Sequence, residues 1–574
     1  MDNQQHGTST LGAEAWRATS TGTSAPGGPA ARPLARRDSR GRTAIVAAAV
    51  FLVAGPFGTS GTGAAQAAAV NPAAGVGTVY ARGLGLEKWA TQTVAPGLRV
   101  SAVTITNAGS DPFWTVTLEQ AVTSKVTLGP ADAEVGSESW AQTTVAQLAA
   151  RGFQARIEAV AWPDYSDAAH GLMGYRVRVG KFPTQTAAVA QQSAIAAAGF
   201  TAITAWTGYD VQAPGDLENV HVAVIDSRVF RGTVEATHDG NVAQRLTTSS
   251  VAAQLGSLVG INGGFFVTSS SDGVQGTQSG LSVYNGQLES MSSGDRAALL
   301  LEDGGKHYQV ANLSSTASVR SGTSVYSIQG VNRVPGIVRN CGRPGATPTT
   351  HPEQDVDCSE TNDLVMFTPE FGTALPTGSG TQVVLDGSGT VVSVGIRGGS
   401  IAAGTTVFQG IGTVAAWLDA HAVVGRQLAV DESVRDASTG RTLHLSADDS
   451  IVSAAPVLVR DGRIDIDAAT EGVVDPQDLS FNYQWANARQ PRTIAGVDAT
   501  GNLILVTVDG RLADGSEGFT LSEEAEFMRS LGAVQALNLD GGGSTAMAVE
   551  GELVNHTSDA TGERPVGDTI EVLP

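Results

Sequence analysis

Short apolar and β-branched runs that stop at glycine-containing turns dominate the chain from Val220 onward, and they restrict it to a strand-rich fold. Residues 220–226, 364–368, 382–386 and 503–508 are rich in valine, isoleucine and leucine and read as strands. The pairs Asp386-Gly387, Asp461-Gly462 and Asp509-Gly510 punctuate them and predict hairpin turns. Helical segments are fewer, near 251–258, 412–420 and 520–531. Residues 95–122 also read as strand. The expected class is α+β: a mixed, strand-rich main domain plus a small inserted two-layer α/β sandwich built from a β-α-β repeat.

That repeat occupies 125–210. In the first copy, 125–130 alternates like a strand, 140–150 is helical and stops at Gly152, and 153–160 alternates again. The second copy opens on Tyr175-Arg176-Val177-Arg178-Val179-Gly180-Lys181-Phe182. It continues as an alanine-rich helix over 184–198, stops at Gly199, and returns as a strand over 200–206. Alternation turns Arg176 and Arg178 outward, with Lys181 a further candidate, and Tyr175, Val177 and Val179 inward. The region resembles the SPOR domain, a peptidoglycan-binding module, through 176–182, the alanine-rich helix and Ala198-Gly199-Phe200. The resemblance implies that the exposed sheet face binds peptidoglycan glycan strands, with Arg176 and Arg178 as glycan-binding residues.

A chain of 574 residues has room for two to four domains. Its net charge of −21 argues against nucleic acid as a partner, because phosphate backbones recruit basic surfaces. Residues 1–70 lie outside the expected fold. Residues 1–33 are polar and poor in large apolar side chains, a composition that cannot offset chain entropy. Arg36, Arg37, Arg40 and Arg42 then precede an apolar run over 44–55, Pro56, and Ala65-Gln66-Ala67. Basic flank, short apolar segment and small-residue site form an export signal. The run is shorter than the roughly 20 residues of a membrane span, so a membrane is a partner only if the signal stays uncleaved. The chain is expected to be secreted, extracellular or cell-wall associated. Its two cysteines, Cys341 and Cys358, are then expected to form a disulfide. With His351 as the one histidine nearby, they fall short of a zinc site.

The segment Ala536-Leu537-Asn538-Leu539-Asp540-Gly541-Gly542-Gly543-Ser544-Thr545 carries the chemistry. An apolar strand runs into one carboxylate, three glycines and two hydroxyls. Glycines let backbone N–H groups face a ligand, and successive N–H groups make an anion-binding nest. Four further segments stand out: Asn262-Gly263-Gly264-Phe265-Phe266, Asn332-Arg333, Val508-Asp509-Gly510-Arg511, and 516–528, where Thr520 and Glu523 also fit a helix-capping box.

Together these segments resemble the phosphodiester glycosidase family over 218–574, with its patterns N-G-G-F-F, N-R, V-D-G-R, S-x-G-x-T-L-x-E-x-A-x-x-M, L-G-A and N-L-D-G-G-G-S-T. Leu512 departs from the family, whose members often carry a polar residue after V-D-G-R. The resemblance implies a catalytic domain over 218–574, preceded by a linker and first catalytic strands over 71–124 and the SPOR-like domain over 125–210. It implies hydrolysis of a sugar-1-phosphodiester, with a carbohydrate phosphodiester in a wall or capsular polymer as substrate. Asp540 is the expected catalytic carboxylate, with Asp509 or Glu523 as its second. Asn262, Gly263, Gly264, Arg333, Arg511, Gly541, Gly542, Gly543 and Ser544 are the expected substrate-binding residues. No cofactor is required; a divalent cation held by these carboxylates stays open, without calcium-loop spacing. Two other classes also stay open: a wall-polymer-binding protein without turnover, and a phosphodiesterase that breaks the P–O bond.

Overall fold

The computed structural model describes residues 78–124, 130–211, 215–341, 351–475, 478–513 and 515–574. The export signal over 1–70 lies outside the described residues, as does most of the strand expected over 125–130. Among the described residues, no helix is long and apolar enough to cross a membrane. The architecture is mixed and strand-rich, with few helices.

The buried run Leu503–Val508 lies inside a nine-stranded antiparallel sheet, where both faces are covered, and so it reads as continuous apolar sequence rather than alternation. Its neighbours are Leu217–Ile225 on one side and Arg492–Asp498 on the other. Arg492–Asp498 pairs in turn with Ala533–Asn538. On the far side of Leu217–Ile225 come Leu98–Thr106, Gly85–Ala95 and Thr78–Arg82. A five-stranded antiparallel sheet runs in the order Thr233–Thr237, Thr569–Leu573, Val259–Asn262, Met547–Val549, Glu552–Leu553. One apolar core joins these two sheets through Ile261, Ile494, Leu505, Leu537, Leu539, Met547 and Ile570. Burying each such side chain contributes about 1.5–3 kcal/mol, which makes the seam between the sheets a stiff platform. Residues 540–546 cross that seam. A second core lies between a seven-stranded sheet that includes Arg296–Glu302 and His307–Ser321 and a five-stranded sheet that includes Leu364–Phe367 and Thr406–Gly410.

The SPOR-like region is a four-stranded sheet in the order Ala155–Ala161, Leu172–Phe182, Trp114–Leu118, Ala202–Trp206. Helices Glu138–Ala150 and Gln185–Ala197 start at side-chain caps from Ser137 and Thr184, and they cover one face through Leu148, Ile195, Val177 and Val179. Trp114–Leu118 corrects the sequence reading, which gave it to the main domain. Its alternation identifies a strand but not the sheet that takes it, and here it pairs with Leu172–Phe182 and Ala202–Trp206.

The opposite face is a second correction. Arg176 and Arg178 do point away from the helices, yet they are 1% and 2% exposed. Asp210 accepts hydrogen bonds from Arg176 at 2.8 and 3.1 Å and from Arg178 Nη2 at 3.0 Å, with Arg178 Nη1 in closer contact still. Glu158 pairs with both arginines, at 3.0 and 3.2 Å. Tyr483, from the main domain, donates to Asp210 at 2.6 Å. Arg489 holds the carbonyls of Gly208 and Asp210 at 2.9 and 2.7 Å, and Trp206 donates to Glu517 at 2.9 Å. Burial opposes the Asp210 charge, but Arg178 and Arg176 hold its carboxyl below the usual range. In so acidic a chain these arginines find carboxylates of their own chain, and they lie buried at the floor of a cavity that Glu158, Phe113 and Thr207 also line.

Candidate active site

Asp540 leaves the nine-stranded sheet two residues past Ala533–Asn538, and the neighbouring sheet holds its backbone in place. Its amide donates to the Gly263 carbonyl at 3.1 Å, and Asn262 Nδ2 donates to its carbonyl at 2.7 Å. Asn262 Oδ1 accepts from Thr493 Oγ1 at 2.8 Å and from the Ala546 amide at 3.1 Å. Asn262 and Asp540, distant in sequence, therefore meet as expected. Asn262, however, is fully buried with both ends of its amide engaged, so it buttresses the loop rather than contacting a substrate. Gly263 and Gly264 also face protein. A Cβ on Gly263 would stand 2.4 Å from Asp568 Oδ1, and one on Gly264 would stand 2.4 Å from the Ser453 carbonyl. Their amides donate to Asp568, at 3.0 Å to its main-chain oxygen and 2.9 Å to Oδ1.

The Asp540 side chain stays half-buried. Burial pushes its carboxyl up to about 7, with the charges of Asp355 and Asp568 adding to the rise and Ser544 and Arg564 opposing it. Asp355 comes from the segment closed by the Cys341–Cys358 disulfide, whose Cα atoms are 5.8 Å apart.

Cationic groups border the glycines. Gly542 is left-handed at φ +62°, and a Cβ there would lie 3.3 Å from Arg511 Nη2. A Cβ on Gly543 would lie 2.2 Å from Arg564 Nη2 and 2.3 Å from Asp559 Oδ1. Arg492 Cδ is 3.8 Å from the same point on Gly541. The glycines thus let guanidinium groups close on the backbone, while the Gly542 amide is bonded to the Pro491 carbonyl at 2.8 Å. Arg511 itself adopts φ +59°, a strained conformation for a side-chain-bearing residue. Its Nε donates to Gln490 at 2.7 Å. Burial, then Arg564 and Arg492, push its guanidinium down to about 10. Arg564 pairs with Asp559 at 2.8 and 3.0 Å, and Arg492 Nε lies 3.0 Å from Glu524.

Other expected residues have different surroundings. Asp509 is fully buried, and burial raises its carboxyl. It accepts the His556 amide at 3.0 Å and lies 3.2 Å from Nδ1 of the His556 ring, which is exposed. Glu523 caps the helix Leu521–Ser530 through the Thr520 amide at 2.9 Å, and Arg489 grips its carboxylate at 2.6 to 3.1 Å. Glu523 is thus a capping and ion-pairing residue, a role legible in T-x-x-E itself. Glu523→Gln is expected to leave kcat within about threefold while lowering stability by about 1.5–3 kcal/mol, the worth of a charged hydrogen bond; steady-state rates and thermal melts read the two effects separately. Arg333 is likewise corrected. Its guanidinium donates to Asp363 at 2.6 and 2.8 Å and to the carbonyls of Gln329, Val334 and Ile337. It ties a turn in the second five-stranded sheet, and a planar fork so engaged is not offered to a phosphate. Ser544 is buried beside Asp540.

The sequence reading missed Asp568, Arg564, Asp355 and Arg492. None of them sits in a run of glycines that would mark it. Among the described residues, no group of three or more His, Cys, Asp or Glu is arranged to hold a metal ion.

Comparison with known proteins gives consistent matches. The family model for phosphodiester glycosidase matches residues 379–573, and the SPOR domain model matches residues 133–205. The N-acetylglucosamine-1-phosphodiester alpha-N-acetylglucosaminidase of Mus musculus is 36% identical over 110 residues, 19% of this chain and 21% of that protein. An SPbeta prophage-derived uncharacterized protein of Bacillus subtilis (strain 168) is 41% identical over 90 residues, 15% of this chain and 14% of that protein. The chain spans about a fifth or less of the length of these curated relatives. A solved structure from Burkholderia pseudomallei K96243, named as a presumed exported protein, superposes with a TM-score of 0.74 at 32% identity, covering 89% of this chain and 100% of that one.

Proposed function

Because the chain belongs to the phosphodiester glycosidase family and carries a SPOR domain, we propose that it is a secreted hydrolase of a sugar-1-phosphodiester, acting on a wall or capsular polymer. The observation that carries this reading is the union of Asp540 with a run of glycines bordered by the guanidinium groups of Arg511 and Arg564. Burial and the like charges of Arg564 and Arg492 weigh on the Arg511 guanidinium, and an anion bound beside it would relieve both. A phosphodiester is such an anion, and its anomeric carbon would then lie toward the carboxylate.

In this mechanism Asp540 works in its charged form, as base toward a water or as nucleophile at the anomeric carbon. With water as nucleophile, its oxygen bonds to the anomeric carbon as its proton passes to Asp540. The C–O bond to phosphate breaks, and its electron pair leaves with the bridging oxygen on a phosphomonoester. Arg511 and Arg564 meet that charge. Asp509 is the second carboxylate in this reading, buried and set against the exposed imidazole of His556. Wall binding is proposed on the SPOR match alone, since Arg176 and Arg178 are held in the junction. Secretion is proposed on the export-signal pattern and the presumed exported relative.

Purified protein screened against sugar-1-phosphodiesters in ¹⁸O water tests the reading. Label in the released sugar is expected. Label in the phosphate would instead establish P–O cleavage, and binding to wall polymer without turnover would establish a binding protein. Arg511→Ala is expected to lower kcat/KM about 10²-fold, the scale of one lost electrostatic contact to the reacting group. Its melting temperature should change little, because relief from the like charges of Arg564 and Arg492 offsets the lost hydrogen bond to Gln490; a variant that melts early yet turns over normally would show Arg511 to be structural.

A further inference from the structure

Asp568 lies beside the strand Thr569–Leu573, which pairs with Val259–Asn262 so that Asn262 is opposite Thr569. That register lays Gly263 and Gly264 along Asp568. The Gly264 amide donates to Oδ1 at 2.9 Å, and the Tyr284 hydroxyl donates to Oδ2 at 2.8 Å. On its other side Gly263 accepts the Asp540 amide at 3.1 Å. A single glycine thus separates the two carboxyl-bearing residues. Asp568 is 3% exposed and has no ion-pair partner among the described residues. Asp355, the other carboxylate facing Asp540, is paired with Arg339 at 2.8 Å, and Arg564 is paired with Asp559. Tyr284 is buried, with the ring of His238 set edge-on at 4.7 Å.

We propose that Tyr284 and Asp568 are a positioning pair for Asp540: the phenol and the Gly264 amide stabilise the charge of Asp568, and that charge, held across Gly263, raises the proton affinity of Asp540. The groups facing Asp540 are Ser544, Arg564, Asp355 and Asp568, and those facing Asp568 are Tyr284 and the Gly264 amide. Burial raises both carboxyls, Asp568 to about 6 and Asp540 to about 7, and a charge on Asp568 works against ionisation of Asp540. A base whose proton affinity lies near the working pH is the most effective one. The inference rests on reading Asp540 as the catalytic carboxylate.

The test is a carboxyl ¹³C NMR titration of aspartate-labelled full-length protein, with Asp540→Asn identifying the Asp540 resonance. Asp568→Asn keeps an oxygen for the Gly264 amide, and Tyr284→Phe keeps the ring in place. Both variants are expected to lower the Asp540 midpoint by about half a pH unit or more, and to move the acid limb of kcat/KM down by the same amount. An Asp540 midpoint unmoved in both folded variants would overturn the proposal. A midpoint that moves in a protein that cuts no sugar-1-phosphodiester would leave the pair standing and refute the glycosidase reading.

Discussion

Asp540→Asn is expected to lower kcat on a sugar-1-phosphodiester by about 10³-fold or more, because a positioned acid–base group contributes about 10²–10⁴-fold and Asp540 is the half-buried carboxylate at the glycine run. KM should change little, since the guanidinium groups that would hold the phosphate are untouched. The same variant should be at least as stable as the parent at pH 8. In the folded protein the Asp540 carboxyl is raised from 3.8 to about 7, so the folded state holds this proton more tightly than the unfolded chain. The stability it contributes is fully present below the unfolded value and is lost as pH rises through about 7. Asparagine carries no such loss. Melting curves at pH 5 and pH 8 should therefore show the variant gaining on the parent as pH rises, alongside a flat, near-zero rate profile. Normal turnover by Asp540→Asn would remove Asp540 from the chemistry.

Asp210→Ala is expected to cost up to about 3–5 kcal/mol, the scale for breaking a buried ion pair, because it leaves the two buried arginines Arg176 and Arg178 to share Glu158. It also removes the acceptor for Tyr483, which links the four-stranded sheet to the main domain. Asp210→Asn keeps hydrogen-bond acceptance without charge and should cost less. The Asp210 carboxyl is held below its ordinary range, so its contribution is present above the unfolded value and is lost as pH falls through the lowered one. The parent should then loosen at this junction in acid, and the alanine variant should show a smaller acid dependence. Proteolysis near 207–211, compared between parent and variants, reads the junction directly. An Asp210→Ala protein that melts with the parent would show that the two arginines find other partners.

Local patterns were legible wherever one face or both faces of an element decide its sequence. The largely apolar run 503–508, the T-x-x-E cap before Leu521–Ser530 and the glycine stops after 138–150 and 185–197 all appear in the structure near the expected positions. The loop after Ala533–Asn538 announced itself because three glycines follow a carboxylate, and backbone at such a place must come close to something. What came close was harder to read. The sequence reading assigned that room to ligand alone, whereas at Gly263 and Gly264 it is filled by Asp568 and the Ser453 carbonyl, and at Gly542 and Gly543 guanidinium groups stand beside it. Arg333 shows the same limit: a guanidinium suits a phosphate and Asp363 equally well, and only the fold supplies Asp363.

The amino-acid sequence alone determined where strands and helices run, which side chains alternate toward a core, and that Asp540 and the glycines share one loop, because these follow from periodicity and backbone freedom within a few residues. The tertiary structure decided the rest: that Asn262 opposite Thr569 brings Asp568 to Asp540, that Arg511 and Arg564 converge on 542–543, and that the arginines of the SPOR sheet face inward onto Asp210. Charges act through space over several ångströms, so their partners are set by strand register and sheet packing between segments hundreds of residues apart, which no local pattern encodes.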